Sequence, residues 1–283
     1  MRPLGKTIPP KSVVAACALI GIVALVIALA GYLPQGIDWQ ETYRPAGLAI
    51  LRGKSPYSIE GYRIVPWAIL PVLPFAGLPE HIGRALYLVV SLAVFGYVSY
   101  KLGAKPITLF VFLLSPPVLH CLLNANIDWL PLLGFVLPPS IGLFFVVIKP
   151  QIGIGVVIFW LIETTRARGW RETVRTFVPV SVALALSFIL FGFWPERFMA
   201  PVSFWWNASL WPASIPVGLV LMVTAIRQRK VEYSMAASPC LSPYVLLHSW
   251  SGALVSLSKA PLEMIAAVLG LWIMVGLRVI SGA

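Results

Sequence analysis

The stretch that reads IGRALYLVVSLAVFGYVSY over residues 82–100, KLGAKP over 101–106 and ITLFVFLLSPPVLHCLL over 107–123 decides the fold class. Each apolar run is long enough to cross a bilayer as a helix, which takes about 17–25 residues. Lys101 and Lys105 lie between the two runs, as basic residues do at a short cytoplasmic turn. The stretch therefore predicts two membrane-spanning helices joined on the cytoplasmic side.

The same pattern recurs along all 283 residues, of which 59% are hydrophobic and only 11% are charged. Backbone polar groups in lipid must be satisfied by helices or by a closed barrel. The alternating ten-residue strands of an outer-membrane barrel are absent, so we predict an all-α, polytopic helical membrane protein. The net charge of +11 comes from Lys and Arg in short loops, which is typical of membrane topology and argues against nucleic-acid binding.

About eight crossings are predicted, and the basic loops orient them with both termini in the cytoplasm. The first span is interpreted as a retained helix, because a signal peptide would be shorter and followed by a small-residue cleavage site. The predicted spans are residues 13–33, 82–100, 107–123, 129–162, 174–193, 214–226, 241–257 and 262–280.

Two stretches are expected to be broken. Four prolines between residues 66 and 79 do not allow a straight spanning helix, so this part of the first outer segment should be interfacial or re-entrant. Residues 129–162 are too long for one pass, and Pro138, Pro139 and Lys149-Pro150-Gln151 divide them, which predicts half-helices around a polar site.

Asp38 is one of only two aspartates, and it lies five residues beyond the first apolar run. A carboxylate just outside a membrane helix, in a chain this poor in acids, favours chemistry at the membrane surface. The alternative is a solvated loop acid or a cap on the following helix.

Residues 38–57 read Asp-x4-Tyr-x2-Ala-x4-Leu-x-Gly-x2-Pro-Tyr. Here the chain resembles the GT-C class of integral-membrane glycosyltransferases, in particular the polyprenyl-phosphate-dependent mannosyl- and arabinofuranosyltransferase family numbered eighty-seven. The likeness continues, in order, through the prolines of residues 66–79, Asn126-Ile127-Asp128 and Ile148-Lys149-Pro150-Gln151. It divides the single integral-membrane domain, residues 1–283, into a GT-C-like core at 12–200 and C-terminal transmembrane helices at 201–283.

The resemblance implies a base in the first outer loop, at Asp38, that deprotonates an acceptor hydroxyl while a lipid phosphate leaves the sugar. It implies a polyprenyl-phosphate sugar donor, a lipid or glycan acceptor, no metal, and an extracytoplasmic site on the inner (plasma) membrane. The predicted substrate-binding residues are Tyr43, Arg44, Arg63, His120, Asn126, Asp128 and Lys149. No motif for a soluble cofactor, such as a glycine-rich phosphate loop, is present.

Several of these residues have a second interpretation. Asn126 and Asp128, with Asn124, either bind sugar hydroxyls or a divalent ion, since oxygen ligands suit hard cations, or form a polar turn that caps the next helix. Lys149 either faces a cavity or an anion, or lies in a plain cytoplasmic turn. His120 either contacts the donor or is a buried core histidine.

The remaining polar and aromatic groups predict less. His248 receives no role. The tryptophans of residues 194–211 either stack on sugar rings or form an interfacial belt, and Asn207-Ala208-Ser209 matches a glycosylation sequon. Cys17, Cys121 and Cys240 lie singly in apolar segments and are interpreted as core residues.

The chain also departs from the family pattern. The family's aromatic-Pro-Pro stretch appears as Val65-Pro66-Trp67, and Ala125 stands in place of a glycine. These departures keep a noncatalytic membrane subunit or lipid-binding scaffold, with possible partner membrane subunits, as the alternative function. A transporter is a third class, suggested by the break at Lys149.

Overall fold

The computed structural model describes residues 11–199 and 207–281, with only the backbone for 11–19 and 198–199. The elements in these ranges are helical, apart from an isolated bridge between Asn207 and Leu246. The all-α prediction is thus confirmed for the described residues. Cys121 and Cys240 are buried free thiols, as expected of core residues. Trp205, Trp206 and the predicted boundary after residue 200 lie outside the described ranges.

Proline opens several of the helices, at a position where its missing N–H is not needed. The helices are α1 (Lys11–Ala30), α2 (Arg44–Leu51), α3 (Leu73–Ala76), α4 (Glu80–Lys101), α5 (Pro106–Leu113), α6 (Pro116–Asn124), α7 (Trp129–Gly134), α8 (Pro139–Val146), α9 (Pro150–Phe191), α10 (Ile215–Gln228), α11 (Val231–Cys240), α12 (Ser251–Leu254) and α13 (Pro261–Ser281).

Three helices of the described residues, α4, α9 and α13, are long and apolar enough to cross a membrane. The pair α5 and α6, bent by 52°, makes a fourth if it is one span. The bend lies at Ser115, because the ring of Pro116 prevents the preceding helix from continuing. The helical membrane character is therefore present, but eight full-length spans are not seen in the described residues.

Helix α9 turns back on itself at Gly169, whose φ of 79° and ψ of 172° are not helical. Thr165 and Thr173 hydrogen-bond across the turn at 2.9 Å. The turn divides α9 into two arms. Ile148, just before the first arm, and Ala183, in the second arm, line one cavity, although a straight helix would hold them roughly 50 Å apart at about 1.5 Å per residue. The turn carries the four arginines predicted to form a cytoplasmic loop between residues 166 and 175.

Both stretches expected to be broken are broken. Residues 39–76 form short helical turns and the small helices α2 and α3. In the second stretch, α7 and α8 form a hairpin, since a Cβ built on Gly142 would lie 2.6 Å from the carbonyl oxygen of Gly134. The chain then passes through Lys149 into α9.

The predicted span at residues 241–257 is wrong. Residues 241–246 are not helical, and they are followed by the 3₁₀ turn Leu247–Trp250, α12 and the 3₁₀ turn Val255–Leu257. The Asn207 side chain keeps residues 243–245 out of a helix, because its Oδ1 accepts from Val245 N and its Nδ2 donates to Pro243 O. The hydrogen bond to Pro243 O engages the nitrogen that glycosylation of the sequon would modify.

Two contacts locate the last helix. Lys259, just before α13, forms an ion pair with Glu232 of α11, with Nζ 2.9 Å from Oε1. Helix α13 then packs beside α5, where Trp272 Nε1 donates to Leu114 O. The predicted cytoplasmic position of both termini stays a prediction.

Candidate functional site

One connected polar network joins residues from the first outer loop and from two later motifs. Asn126 Nδ2 donates to Asp38 Oδ2 over 2.6 Å. Lys149 Nζ donates to Asn126 Oδ1 over 2.5 Å and also forms an ion pair with Asp128 Oδ1. We call these four residues and His248 the Asp38–His248 network. Four of its five members were predicted as site residues.

Asp128 is the buried centre of the network, with 0% of its side chain exposed. His248 Nδ1 lies 2.5 Å from Asp128 Oδ2, and Ser249 Oγ donates to the same oxygen over 3.2 Å. Burial alone would raise the pKa of the Asp128 carboxyl. The charges of His248 and Lys149 and their hydrogen bonds outweigh burial and hold that pKa well below its ordinary value.

His248 and Ser249 are functional candidates that sequence reasoning missed. His248 lies in the segment wrongly predicted to be a spanning helix, and its single sequence signal was a titratable group in apolar surroundings. His120 stacks on it, with ring centroids 5.5 Å apart and planes 16° apart. Asn124 Nδ2 lies 3.1 Å from His120 Nε2, so the two predicted residues contact each other.

The side chains of Asn124, Asn126 and Asp128 do not form one ligand set. Asn124 contacts His120, Asn126 contacts Asp38, and Asp128 contacts Lys149. They diverge because Ala125 adopts the left-handed conformation, with φ 58°, at the end of α6. The capping alternatives are wrong, since neither Asp38 nor Asp128 makes a side-chain cap hydrogen bond.

Arg84 connects two segments through hydrogen bonds: the end of α6 and the loop before Asp38. Its Nη2 donates to Leu122 O and Leu123 O, both over 2.7 Å, and its Nε donates to Gln35 O over 3.2 Å. Gly36, with φ 78°, allows this approach, because a Cβ there would lie 2.9 Å from Leu123 O. Arg84 was also missed, although an arginine inside a predicted span is itself a functional signal.

Tyr87 positions the other half of the network. Its hydroxyl donates to Asn126 O over 3.1 Å and accepts from Trp129 Nε1 over 2.9 Å. Its ring contacts Trp39, the neighbour of Asp38, with centroids 5.4 Å apart. One buried side chain of α4 therefore sets the spacing between Asp38 and Asn126.

Two other predicted residues, Tyr43 and Arg44, differ in their relation to the network. Tyr43 is buried, and burial followed by the charge of Asp38 raises its pKa well above the ordinary value. Burial and then the charge of Asp38 raise the pKa of Tyr244, a residue that was not predicted, whereas the charge of Arg63 lowers that pKa. Arg44 pairs instead with Glu80, over 3.4 Å, and is not part of the network.

The network is open only at Asp38. This residue is half-buried, whereas Asn126, Asp128, Lys149 and His248 are buried. Lys149 is therefore deep in the protein rather than in a cytoplasmic turn, and its charge is balanced by Asp128. Half-buried residues outside the network include Arg63, His120 and Tyr244.

Among the described residues, no three His, Cys, Asp or Glu side chains gather as metal ligands. An oriented, half-exposed carboxylate can accept a proton from a bound hydroxyl.

Comparison of the chain with protein-family models, with curated proteins and with solved structures finds no match in any of the three. The function of the site is therefore inferred from its residues and their geometry.

Proposed function

We propose that the protein is a membrane glycosyltransferase that moves a sugar from a polyprenyl-phosphate donor to a lipid or glycan acceptor on the extracytoplasmic face of the inner (plasma) membrane. The observation that supports this most is the position of Asp38. It is half-buried, it occupies the base position of the family the chain resembles, and Asn126 from a second motif of that resemblance orients it.

In this mechanism Asp38 is the general base. Asn126 occupies Asp38 Oδ2, and Oδ1 accepts no hydrogen bond from the described residues, so Oδ1 is the oxygen that takes the acceptor proton. As that proton leaves, the hydroxyl oxygen bonds to the anomeric carbon of the sugar. The bond from that carbon to the donor phosphate breaks, and the lipid phosphate departs with the electron pair, which inverts the anomeric centre.

The buried half of the network acts by positioning. Lys149 and Asp128 were predicted to bind substrate, but each has the other as a partner, and both are nearly inaccessible. Lys149 polarises the Asn126 amide by donating to its oxygen, which strengthens the hydrogen bond that the amide nitrogen donates to Asp38. In the proposal these residues hold the base rather than the sugar.

The donor phosphate needs a cation on the open side of the network. Arg63 is half-buried and belongs to the same first outer segment as Asp38, so we assign the phosphate to Arg63. The half-buried imidazole of His120 and phenol of Tyr244 are assigned to contact the sugar. Arg44 forms its ion pair with Glu80 and receives no role.

A noncatalytic membrane subunit or lipid-binding scaffold is the second candidate. Two observations favour it. Protein partners enclose the Asp128 carboxylate, and Asp38 does not line any of four cavities of about 250–580 Å³ formed by the described residues. In such a protein the network would be purely structural.

The test is transfer from a panel of radiolabelled polyprenyl-phosphate sugars to membrane lipids and glycans by the purified protein in proteoliposomes. The expected result is one labelled product whose anomeric configuration is opposite to that of the donor. Retention of configuration would contradict an inverting attack assisted by Asp38. No product from a panel that includes the native sugar would favour the scaffold.

A further inference from the structure

A separate cavity of about 250 Å³ lies between the end of α1 and the start of α4. It is just below the usual size of small-molecule sites, about 300–1,000 Å³, and so suits a headgroup rather than a whole lipid. None of its residues belongs to the Asp38–His248 network. Its lining is formed by Ala30, Leu33, Gln35, Trp39, Glu80, His81 and Arg84.

Arg84 brings a buried positive charge to this cavity without a counter-ion. The side chain is 2% exposed, and its Nε and Nη2 are bound to backbone carbonyls. Its Nη1 is buried with no hydrogen-bond partner, and no carboxylate of the described residues pairs with the guanidinium. A buried charge in this state is costly unless an anion compensates it.

Trp39 supplies a second unused donor on the same lining. Its side chain is fully buried, and its Nε1 has no acceptor among the described residues, although the ring packs on Tyr87. The acid in the lining is already paired, since Glu80 contacts both Arg44 and Gln40. Two N–H donors without acceptors and one net positive charge therefore belong to residues that line the cavity, whose carboxylate is already paired.

We propose that this cavity binds the phosphate group of a bilayer phospholipid. Guanidinium and indole N–H groups suit a phosphate oxygen, and arginine is the preferred partner of phosphate in proteins. Ala30 and Leu33, at the end of an apolar helix, offer a surface for the first part of the acyl chains, while Gln35 and His81 are exposed at the rim. The site does not depend on the proposed sugar transfer.

The experiment titrates the delipidated full-length protein, in an uncharged detergent, with a short-chain phosphatidylglycerol and follows the unfolding temperature. A ligand that binds only the folded state raises this temperature saturably. Trp39→Phe keeps the ring but removes the donor, and it should weaken the apparent affinity about tenfold, as expected for one hydrogen bond to a charged group. Ala30→Trp should fill the cavity and abolish the shift. Trp170→Phe, at an exposed tryptophan, should behave as wild type.

A second titration with inorganic phosphate separates a lipid headgroup from a free anion. We expect no saturable shift from phosphate alone. A phosphate shift that Trp39→Phe weakens would show that the site selects a free anion and would overturn the lipid assignment. Equal lipid shifts in wild type, Trp39→Phe and Ala30→Trp, or no shift in wild type, would overturn the site itself.

Discussion

Replacing Lys149 with methionine removes one charge of the buried ion pair and keeps an apolar chain of similar length. Asp128, with 0% of its side chain exposed, would then retain His248 and Ser249 as partners. Two unit charges about 4 Å apart attract by roughly 4 kcal/mol at an effective dielectric constant near 20. Breaking a buried pair on one side typically costs about 3–5 kcal/mol, because the remaining charge stays desolvated. We expect a loss near the lower end, about 3 kcal/mol, since His248 still contacts Asp128.

The assay is the free energy of unfolding in mixed micelles, measured for Lys149→Met, Asp128→Asn and the double variant. The double variant removes both charges, so it should be more stable than the sum of the single losses predicts, by about 2 kcal/mol, within the range usual for contacting residues. Lys259→Met is the matched control. Its ion pair with Glu232 has a 2.9 Å separation, but the lysine is 67% exposed, so the expected loss is below about 1 kcal/mol. Additive single losses, or equal losses for Lys149→Met and Lys259→Met, would refute the buried ion pair.

Three further predictions concern the support of the network. Tyr87→Phe removes the hydroxyl that joins Asn126 O to Trp129 Nε1 and should lower the free energy of unfolding by about 1–3 kcal/mol; an unchanged value would contradict its bridging role. Gly53→Ala should lower the free energy of unfolding by about 1–2 kcal/mol, because its backbone is left-handed and an added Cβ meets no atom. Gly36→Ala should lower it further, because its backbone is also left-handed and its Cβ would meet backbone oxygens; equal losses would contradict this. The lowered pKa of Asp128 gives stability that is present above about pH 4 and lost as the pH falls further, so acid unfolding curves of wild type and Asp128→Asn should converge below that pH; a constant gap would contradict the assignment.

The sequence was sufficient where a local pattern determines the structure. Apolar length and flanking charge locate α1, α4 and α13, and proline predicts the breaks before α8 and α9. The bend before α6 was not predicted, because residues 107–123 are apolar enough for one continuous span despite Pro116 and Pro117. The chemistry of the first outer loop and of the Asn126, Asp128 and Lys149 motifs predicted side chains that the structure brings together.

The sequence failed where a distant partner determines the local structure. Residues 241–257 are apolar enough to resemble a span, but the Asn207 side chain and the Asp128 carboxylate hold them in short turns. His248 thus acquires its role only when the chain folds. Arg84 lay inside a correctly predicted helix, and its partners are carbonyls that no sequence pattern identifies.

Sugar transfer by the Asp38→Asn variant tests directly whether Asp38 is the base. Asparagine keeps an oxygen for the Asn126 amide but is a poor proton acceptor, so transfer should fall about 10²–10⁴-fold while the unfolding temperature stays near that of wild type. Glu41→Gln removes an exposed acid from the same turn and should leave transfer unchanged. Wild-type transfer by a folded Asp38→Asn protein would contradict the account.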